Sequence, residues 1–234
     1  MLDFHNHLLP GIDDGSPNPE TSIQLTQGLI ELGFTDFYCS PHIIADTHPN
    51  NPDTIGQAAQ ILNNFAKDNN FAINYNYIAE YMIDDVFISL INKKEPLLTF
   101  SSNKILTEFS YIQKPTHLEH VTFELQIQGF EPILAHPERY IYYHNNLPYF
   151  EYLKDLGFEF QLNLLSVTPY YGKGVQKVTQ HLLKSGLYDY ACTDLHHERH
   201  LEALKSFFTK ESLADFYKQY NLKNDQLFES LSHK

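Results

Sequence analysis

Apolar positions along the chain fall into short, dense runs rich in Phe, Tyr, Ile and Leu, separated by longer stretches of helical period. The runs at 2–5, 34–40, 73–79, 104–109, 132–136, 158–164 and 188–193 read as β-strands. Helix signals lie between them. Asn18-Pro19-Glu20 supplies a cap, a proline at the first helical position and an early acid, and Gly33 ends that helix. Thr116 and Glu119 have capping-box spacing, with Gly129 as the stop. Residues 174–184 form a further helical segment stopped at Gly186, and the chain reads as helical from Leu201 onward.

Seven strands alternating with helices predict a mostly parallel α/β sheet, open or closed into a barrel. No repeat, low-complexity tract or long Pro/Gly/Ser linker interrupts the chain. Residues 1–234 are therefore expected to form one domain, with about 201–234 as a helical C-terminal extension packed on it. The stretch 43–55, "IIADTHPNNPDTI", is the most loop-like insertion and a candidate lid.

Composition narrows the function classes. The 234 residues carry a formal charge of −13, which argues against a nucleic-acid binder. A phosphorylated substrate stays compatible, because bound divalent cations reverse the local field. No apolar run of about 18 residues is present, so no membrane span is expected. No basic region followed by an apolar stretch marks a signal peptide, and Cys39 and Cys192 are too few for a disulfide framework. The cytoplasm is the expected compartment.

The strand ends change the picture most. The first yields His5 and His7, with Asp13 and Asp14 just beyond. The next ones lead to His42, Glu80, Glu108 and His136, and the last to Asp194 and His196. The sixth alone offers no such group, only Asn163 and Ser166. In a parallel barrel the C-terminal strand ends meet on one face, so these groups would converge there. Any one of them has a bland reading: a strand-end histidine bonded in the rim, or a glutamate capping the next helix. Six of seven strand ends with His or acid make accident a poor account. His48, His117, His120, His144, His181 and His233 do not sit at strand ends and read as surface or helix residues. Imidazole and carboxylate without thiolate suit Zn, Mn or Fe. The number of donors exceeds what a structural zinc needs and points to a multinuclear hydrolytic centre, where a metal-bound hydroxide attacks phosphorus.

Arginine is scarce. The 16 basic residues include only Arg139 and Arg199. Each follows a ligand candidate by three residues, His136 and His196, and arginine matches phosphate oxygens bidentately. Both are expected to bind the substrate phosphate and act in catalysis; the plainer alternative is a carboxylate pair that holds a loop. A cysteine-phosphatase loop needs Cys, five residues, then Arg. Neither Cys39 nor Cys192 meets that spacing, and Arg199 falls one place too late.

The motifs "DFHNH", "DDG", "SPH", "AE", "TEFS", "AHPERY" and "TDLHH", in that order over residues 1–200, resemble the polymerase-and-histidinol-phosphatase (PHP) superfamily. The similarity is greatest to its bacterial capsule-associated, metal-dependent protein tyrosine phosphatases. The resemblance implies a distorted (β/α)7 TIM-like barrel holding three divalent transition-metal ions, Mn foremost, with Fe or Zn as alternatives. It implies His5, His7, Glu80 and Asp194 on the first metal, and Glu80 as a bridge joining Glu108 and His136 on the second. Asp14, His42 and His196 would hold the third, with Asp13 as the alternative to Asp14. The family often has His where Glu108 stands, so the carboxylates agree better with the tyrosine-phosphatase branch than with histidinol phosphatases.

The function expected is phosphotyrosine hydrolysis on a protein, with exopolysaccharide or capsule synthesis as its setting and a bacterial tyrosine kinase as partner. A histidinol-phosphate or other small-molecule phosphatase shares the same chemistry. A PHP nuclease is disfavoured by the charge. An inactive metal-binding or interaction module is disfavoured because every ligand position holds a competent side chain.

Overall fold

The first strand, β1 (Leu2–Asp3), pairs in parallel with β2 (Asp36–Cys39) after the helix α1 (Pro19–Glu31). The fold is a computed structural model that describes residues 1–100 and 103–232. Helix α1 begins as its residues dictate: the Asn18 side chain accepts from the Thr21 amide at 2.9 Å, Pro19 follows, and Gly33 turns the chain at φ +98°.

After β2 the chain kinks through Ser40-Pro41 and pairs again as β3 (His42–Ile43). Helix α2 (Pro52–Asp68) leads to β4 (Tyr75–Tyr77), β5 (Glu80–Met82) and α3 (Asp85–Lys93). Strand β2 pairs with β4, and β3 with β5 in the register His42↔Glu80. Pro41 has no amide to give to a ladder, which is a reason for the break. The Ile78 amide donates to the Cys39 carbonyl at 2.9 Å and the Glu80 amide to that of Pro41 at 3.1 Å, so hydrogen bonding continues across the gap.

The rest alternates: β6 (Lys104–Glu108), α4 (Leu118–Ile127), β7 (Glu131–Ala135), α5 (Pro148–Asp155), β8 (Glu159–Asn163), α6 (Lys173–Lys184) and β9 (Tyr190–Cys192). Three helices close the chain: α7 (Glu198–Phe207), α8 (Lys210–Gln219) and α9 (Asn224–Ser232). All named strand pairs are parallel. They form two sheets, of order β1-β2-β4 and β3-β5-β6-β7-β8-β9, instead of one uninterrupted ladder. A parallel bridge between Asn6 and Leu195 joins the segments beyond β1 and β9.

Local expectations fare unevenly. The 43–55 stretch is no free loop. Ile43 belongs to β3, the Ile44 and His48 backbones pair, and Asn51 starts α2 with a reciprocal capping box to Thr54. The expected capping box of α4 does not form: His117 precedes the helix in a left-handed conformation without a side-chain cap. Among the described residues no helix is long and apolar enough to cross a membrane.

One buried cluster draws on both sheets, with Leu2, Phe4, Ile78, Leu106, Ile133 and Tyr190 among its members. Burying each such aliphatic or aromatic side chain contributes about 1.5–3 kcal/mol. Leu106 and Glu108 share one face of β6 by strand alternation, so this apolar cluster underlies the polar strand ends.

Candidate metal centre

The strand ends bring eight His and acidic side chains together, and Asp14 joins them from the turn after β1. His5 and His7 follow β1, His42 opens β3, Glu80 opens β5 and Glu108 ends β6. His136 follows β7, while Asp194 and His196 follow β9. His136 and Asp194 both adopt left-handed backbone, at φ 36° and 49°. Such conformations cost on the order of 1–3 kcal/mol each and tend to gather at functional sites. The His136 amide is held by the Gln161 carbonyl and the Asp194 amide by that of His5, both at 2.7 Å.

Four groups have ligand atoms close enough to share a cation: His7, Asp14, His42 and His196; His5, His7 and Glu80; His5, His136 and Asp194; and His42, Glu80 and Glu108. Glu80 lies at the centre. Its Oε1 is 3.3 Å from His5 Nε2 and 3.1 Å from His136 Nε2, and its Oε2 is 3.0 Å from His42 Nδ1. The grouping differs from the expected one in two respects: His7 also joins Asp14, His42 and His196, and the partners of Glu108 and His136 change. Glu108 stands with His42 and Glu80, 3.0 Å from His42 Nδ1, whereas His136 stands with His5 and Asp194.

The surroundings orient the imidazoles. His5 Nδ1 donates to the Gln161 side-chain oxygen at 2.7 Å, and His7 Nδ1 to Asp13 Oδ2 at 2.8 Å. His196 Nδ1 donates to the Asp194 carbonyl at 2.9 Å. Each contact puts a proton on Nδ1 and aims Nε2 inward, the usual outer partnership of a metal-bound histidine. The two neighbouring acids therefore have different places. Asp13 is turned to His7 and to the amides of Gly15 and His42, while Asp14 Oδ1 lies 3.5 Å from both His42 Nε2 and His196 Nε2.

Charge is concentrated where water is excluded. Burial and the neighbouring His42 oppose protonation of His7, but Asp13 and Asp194 outweigh them and hold it up at about 10. Burial and the charge of Glu80 push Glu108 up to about 7. Burial would raise Glu80 too, yet His5 and His42 keep it well below the usual carboxylate range. Five buried ligand atoms, His5 Nε2, His7 Nε2, His42 Nδ1, Glu80 Oε2 and Glu108 Oε1, have no aligned hydrogen-bond partner among the described residues. Buried polar atoms are rarely left so. A mixed nitrogen and oxygen donor set of this kind fits divalent transition ions.

These groups open onto a cavity of about 260 Å³ whose lining includes Asp14, His42, His136, Arg139, Asp194 and His196. Arg139 lies between the rings of Tyr111 and Tyr171, its guanidinium carbon 4.7 and 4.3 Å from their centres. Arg199 is not brought to this site. It is exposed on the first turn of α7 and does not line the cavity; His200, one residue on, turns inward in its place. Tyr111, Tyr171, His197 and His200 line the cavity without having been expected, since they come from loops and a helix start. Gln161 and Asn163 also escaped notice as supports; Asn163 alone had a hint, as the polar end of the sixth strand. His48 stacks on His42 with ring centres 5.5 Å apart. His233 lies outside the described residues. Burial pushes the thiols of Cys39 and Cys192 well above their ordinary range, opposite to what a nucleophilic thiolate requires.

Comparison with known proteins gives the chain's relatives. The family model for capsular polysaccharide synthesis, CpsB/CapC, matches residues 1–221. Tyrosine-protein phosphatase YwqE of Bacillus subtilis (strain 168) is 25% identical over 220 residues, covering 94% of this chain and 85% of that protein. CapC of Staphylococcus aureus is 27% identical over 230 residues, covering 97% and 90%. A crystal structure from work on YwqE and on CpsB of Streptococcus pneumoniae, described as unique metal-dependent tyrosine phosphatases, matches with a TM-score of 0.78. Its sequence identity is 25%, over 87% of this chain and 84% of that chain.

Proposed function

Because the chain belongs to the CpsB/CapC family of capsular polysaccharide synthesis, we propose that it is a metal-dependent phosphatase of protein phosphotyrosine. The observation that carries this reading is the cluster of buried imidazole and carboxylate atoms without an aligned hydrogen-bond partner, which reaches through His42 the cavity that Arg139 also lines. Three divalent ions, Mn foremost, are the proposed complement. His5, His7, Glu80 and Asp194 would hold the first, Glu80, Glu108 and His136 the second, and Asp14, His42 and His196 the third. The contact of Glu108 with His42 leaves open a second ligand grouping, His42 with Glu80 and Glu108.

Divalent ions supply Lewis acidity toward phosphoryl oxygens and activate water for attack on phosphorus. The chain does the rest. Gln161, Asp13 and the Asp194 carbonyl hold imidazoles in one tautomer. Arg139 gives one N–H to Asp194 and keeps others for phosphate oxygens, its plane set by Tyr111 and Tyr171. A phenolate leaving group, with a conjugate acid near pKa ~10, needs little help from a general acid. Arg199 is assigned no phosphate contact.

The proposed architecture is a distorted seven-stranded barrel in a single domain spanning 1–234, with about 201–234 as its helical extension. The Asn6–Leu195 bridge and the two kinked strand tracks, β2 into β3 and β4 into β5, support the barrel. The proposed setting is the cytoplasm, with a phosphotyrosine protein, among them a bacterial tyrosine kinase, as substrate. The test is hydrolysis of a phosphotyrosine peptide against histidinol phosphate, before and after chelation and Mn readdition. Preference for the peptide, lost on chelation and regained with Mn, is expected; activity indifferent to chelation overturns the metal role, and preference for histidinol phosphate overturns the substrate.

A further inference from the structure

The catalytic cavity does not end at Arg139. Tyr111, Arg139 and Tyr171 are shared with a second cavity of about 280 Å³, which includes Ile141 and Val175. That cavity in turn shares His144 and Gly174 with a third, of about 480 Å³, lined by Lys177, His181 and Lys184 of α6. The three lie in series, each sharing lining residues with the next, and we read them as one trough leading away from the metal ligands. Its chemistry changes along the way. The first section holds carboxylates, but neither of the outer two is lined by an aspartate or glutamate.

Helix α6, "KGVQKVTQHLLK", has three lysines and a histidine and no acidic residue, in a chain of net charge −13. Lys177, His181 and Lys184 lie at helical spacing on one exposed face, and neither lysine is ion-paired among the described residues. The middle section has an apolar edge, Ile141, which is 66% exposed. A small phosphate ester would use the first section alone. A length of polypeptide would use all three.

We propose that this trough along α6 is a substrate subsite that receives the acidic flank of a phosphotyrosine polypeptide while its phosphate sits at the metal ligands. The inference rests on the phosphatase reading above and adds a sequence preference to it. Complementary charge acts mainly on encounter and selectivity, so the effect is salt-dependent and appears chiefly in KM.

The experiment compares three substrates on the Mn-loaded protein at low ionic strength: p-nitrophenyl phosphate, a phosphotyrosine peptide flanked by Asp and Glu, and the same peptide with Asn and Gln. A preference of about tenfold in kcat/KM for the acidic peptide is expected, a size that two or three exposed charge pairs can supply. The double variant Lys177→Glu/Lys184→Glu should abolish that preference and leave p-nitrophenyl phosphate turnover unchanged. Gly174→Leu, which places a branched side chain against His144 where the outer sections join, should slow both peptides and spare p-nitrophenyl phosphate. Equal kcat/KM for the two peptides on the wild type, or a preference that survives the double variant, overturns the subsite. If no phosphate ester is hydrolysed, the phosphatase reading fails separately. Fluorescence anisotropy of a labelled acidic peptide with a non-hydrolysable phosphotyrosine mimic still decides the trough: binding weakened by the double variant supports it, and unchanged binding overturns it.

Discussion

Arg139 Nη1 donates to Asp194 Oδ2 at 2.8 Å, and Asn163 Nδ2 reaches the same oxygen at 2.7 Å. The other oxygen, Oδ1, is 3.3 Å from both His5 Nε2 and His7 Nε2. One carboxylate thus has an anchored side and a ligand side. Arg139 belongs to both the phosphate cavity and the frame of a candidate metal ligand. Arg139→Lys keeps the charge but loses the planar fork, and is expected to lower kcat/KM by roughly 30- to 1,000-fold, about 2–4 kcal/mol of transition-state stabilisation. Asn163→Ala removes the anchor without touching the phosphate side. It should weaken metal binding by about 10- to 100-fold, as losses of outer partners generally do. Metal analysis and kcat/KM on the same preparations check both; full turnover in Arg139→Lys would remove Arg139 from the reaction.

The adjacent acids Asp13 and Asp14 should fail differently. Asp13 is turned inward and accepts from His7 and the Gly15 amide, so Asp13→Asn disturbs charge-assisted bonds worth about 1.5–3 kcal/mol. Asp14 has a side chain 60% exposed and faces His42 and His196. Thermal melts with chelator present should show Asp13→Asn clearly destabilised and Asp14→Asn near wild type. Metal titration should reverse the order, with Asp14→Asn losing more bound ion. Identical behaviour of the two variants would contradict the separation of roles.

What the chain discloses in sequence follows from what is periodic or terminal. Strand-end residues such as Glu108 and His136 were legible because parallel strands deliver their C-terminal ends to one side, and that holds whether the ladder is continuous or broken at Pro41. The choice between Asp13 and Asp14 was not legible, because turn geometry, not spacing, decides which one meets His7. Arg199 shows the limit of matched offsets. Arg139 lies in the 3₁₀ turn Pro137–Arg139 directly after a strand, whereas Arg199 lies in an α-helix whose rotation carries His200 inward instead. Tyr111 and Tyr171 come from loops with no periodic signal. Helix α2 hid in a stretch whose Asn, Pro, Asp and Thr residues are equally turn-formers and the cap and first turn of a helix.

Asp189 gives a pH dependence remote from the metal ligands. Burial would raise its pKa, but hydrogen bonds from Lys154, Lys223 and the Phe160 amide lower it below the ordinary aspartate value. A carboxylate lowered in the folded state stabilises the fold above its unfolded pKa of about 4, and that contribution is lost as pH falls through the folded pKa. Asp189→Asn should therefore be less stable than wild type at pH 7, by about 1–2 kcal/mol given the partly exposed lysines. The gap should narrow as pH falls below ~4, where Asp189 first takes up its proton in the unfolded chain, and close as pH passes the lowered folded pKa. Urea melts at pH 7 and pH 3.5 measure this, and a gap that widens in acid would reverse the sign of the linkage.

Glu80 and His42 offer the sharpest comparison within the centre. Glu80 directs its two oxygens to different histidines: Oε1 to His5 and His136, Oε2 to His42 and, at 3.6 Å, His7. A carboxylate placed so can serve two ions at once, while an imidazole lends one nitrogen to an ion. Glu80→Ala should therefore release more than one ion equivalent and abolish phosphatase activity, and His42→Ala should release about one and leave the others. Glu80 is fully buried, so its removal also takes from His136 its nearest carboxylate and leaves His5 with Asp194. Glu80→Gln keeps the volume and one neutral oxygen, and separates loss of charge from loss of packing. Metal content by elemental analysis, read beside circular dichroism to confirm the fold, decides the matter. Equal metal content in Glu80→Ala and His42→Ala would show that Glu80 bridges nothing.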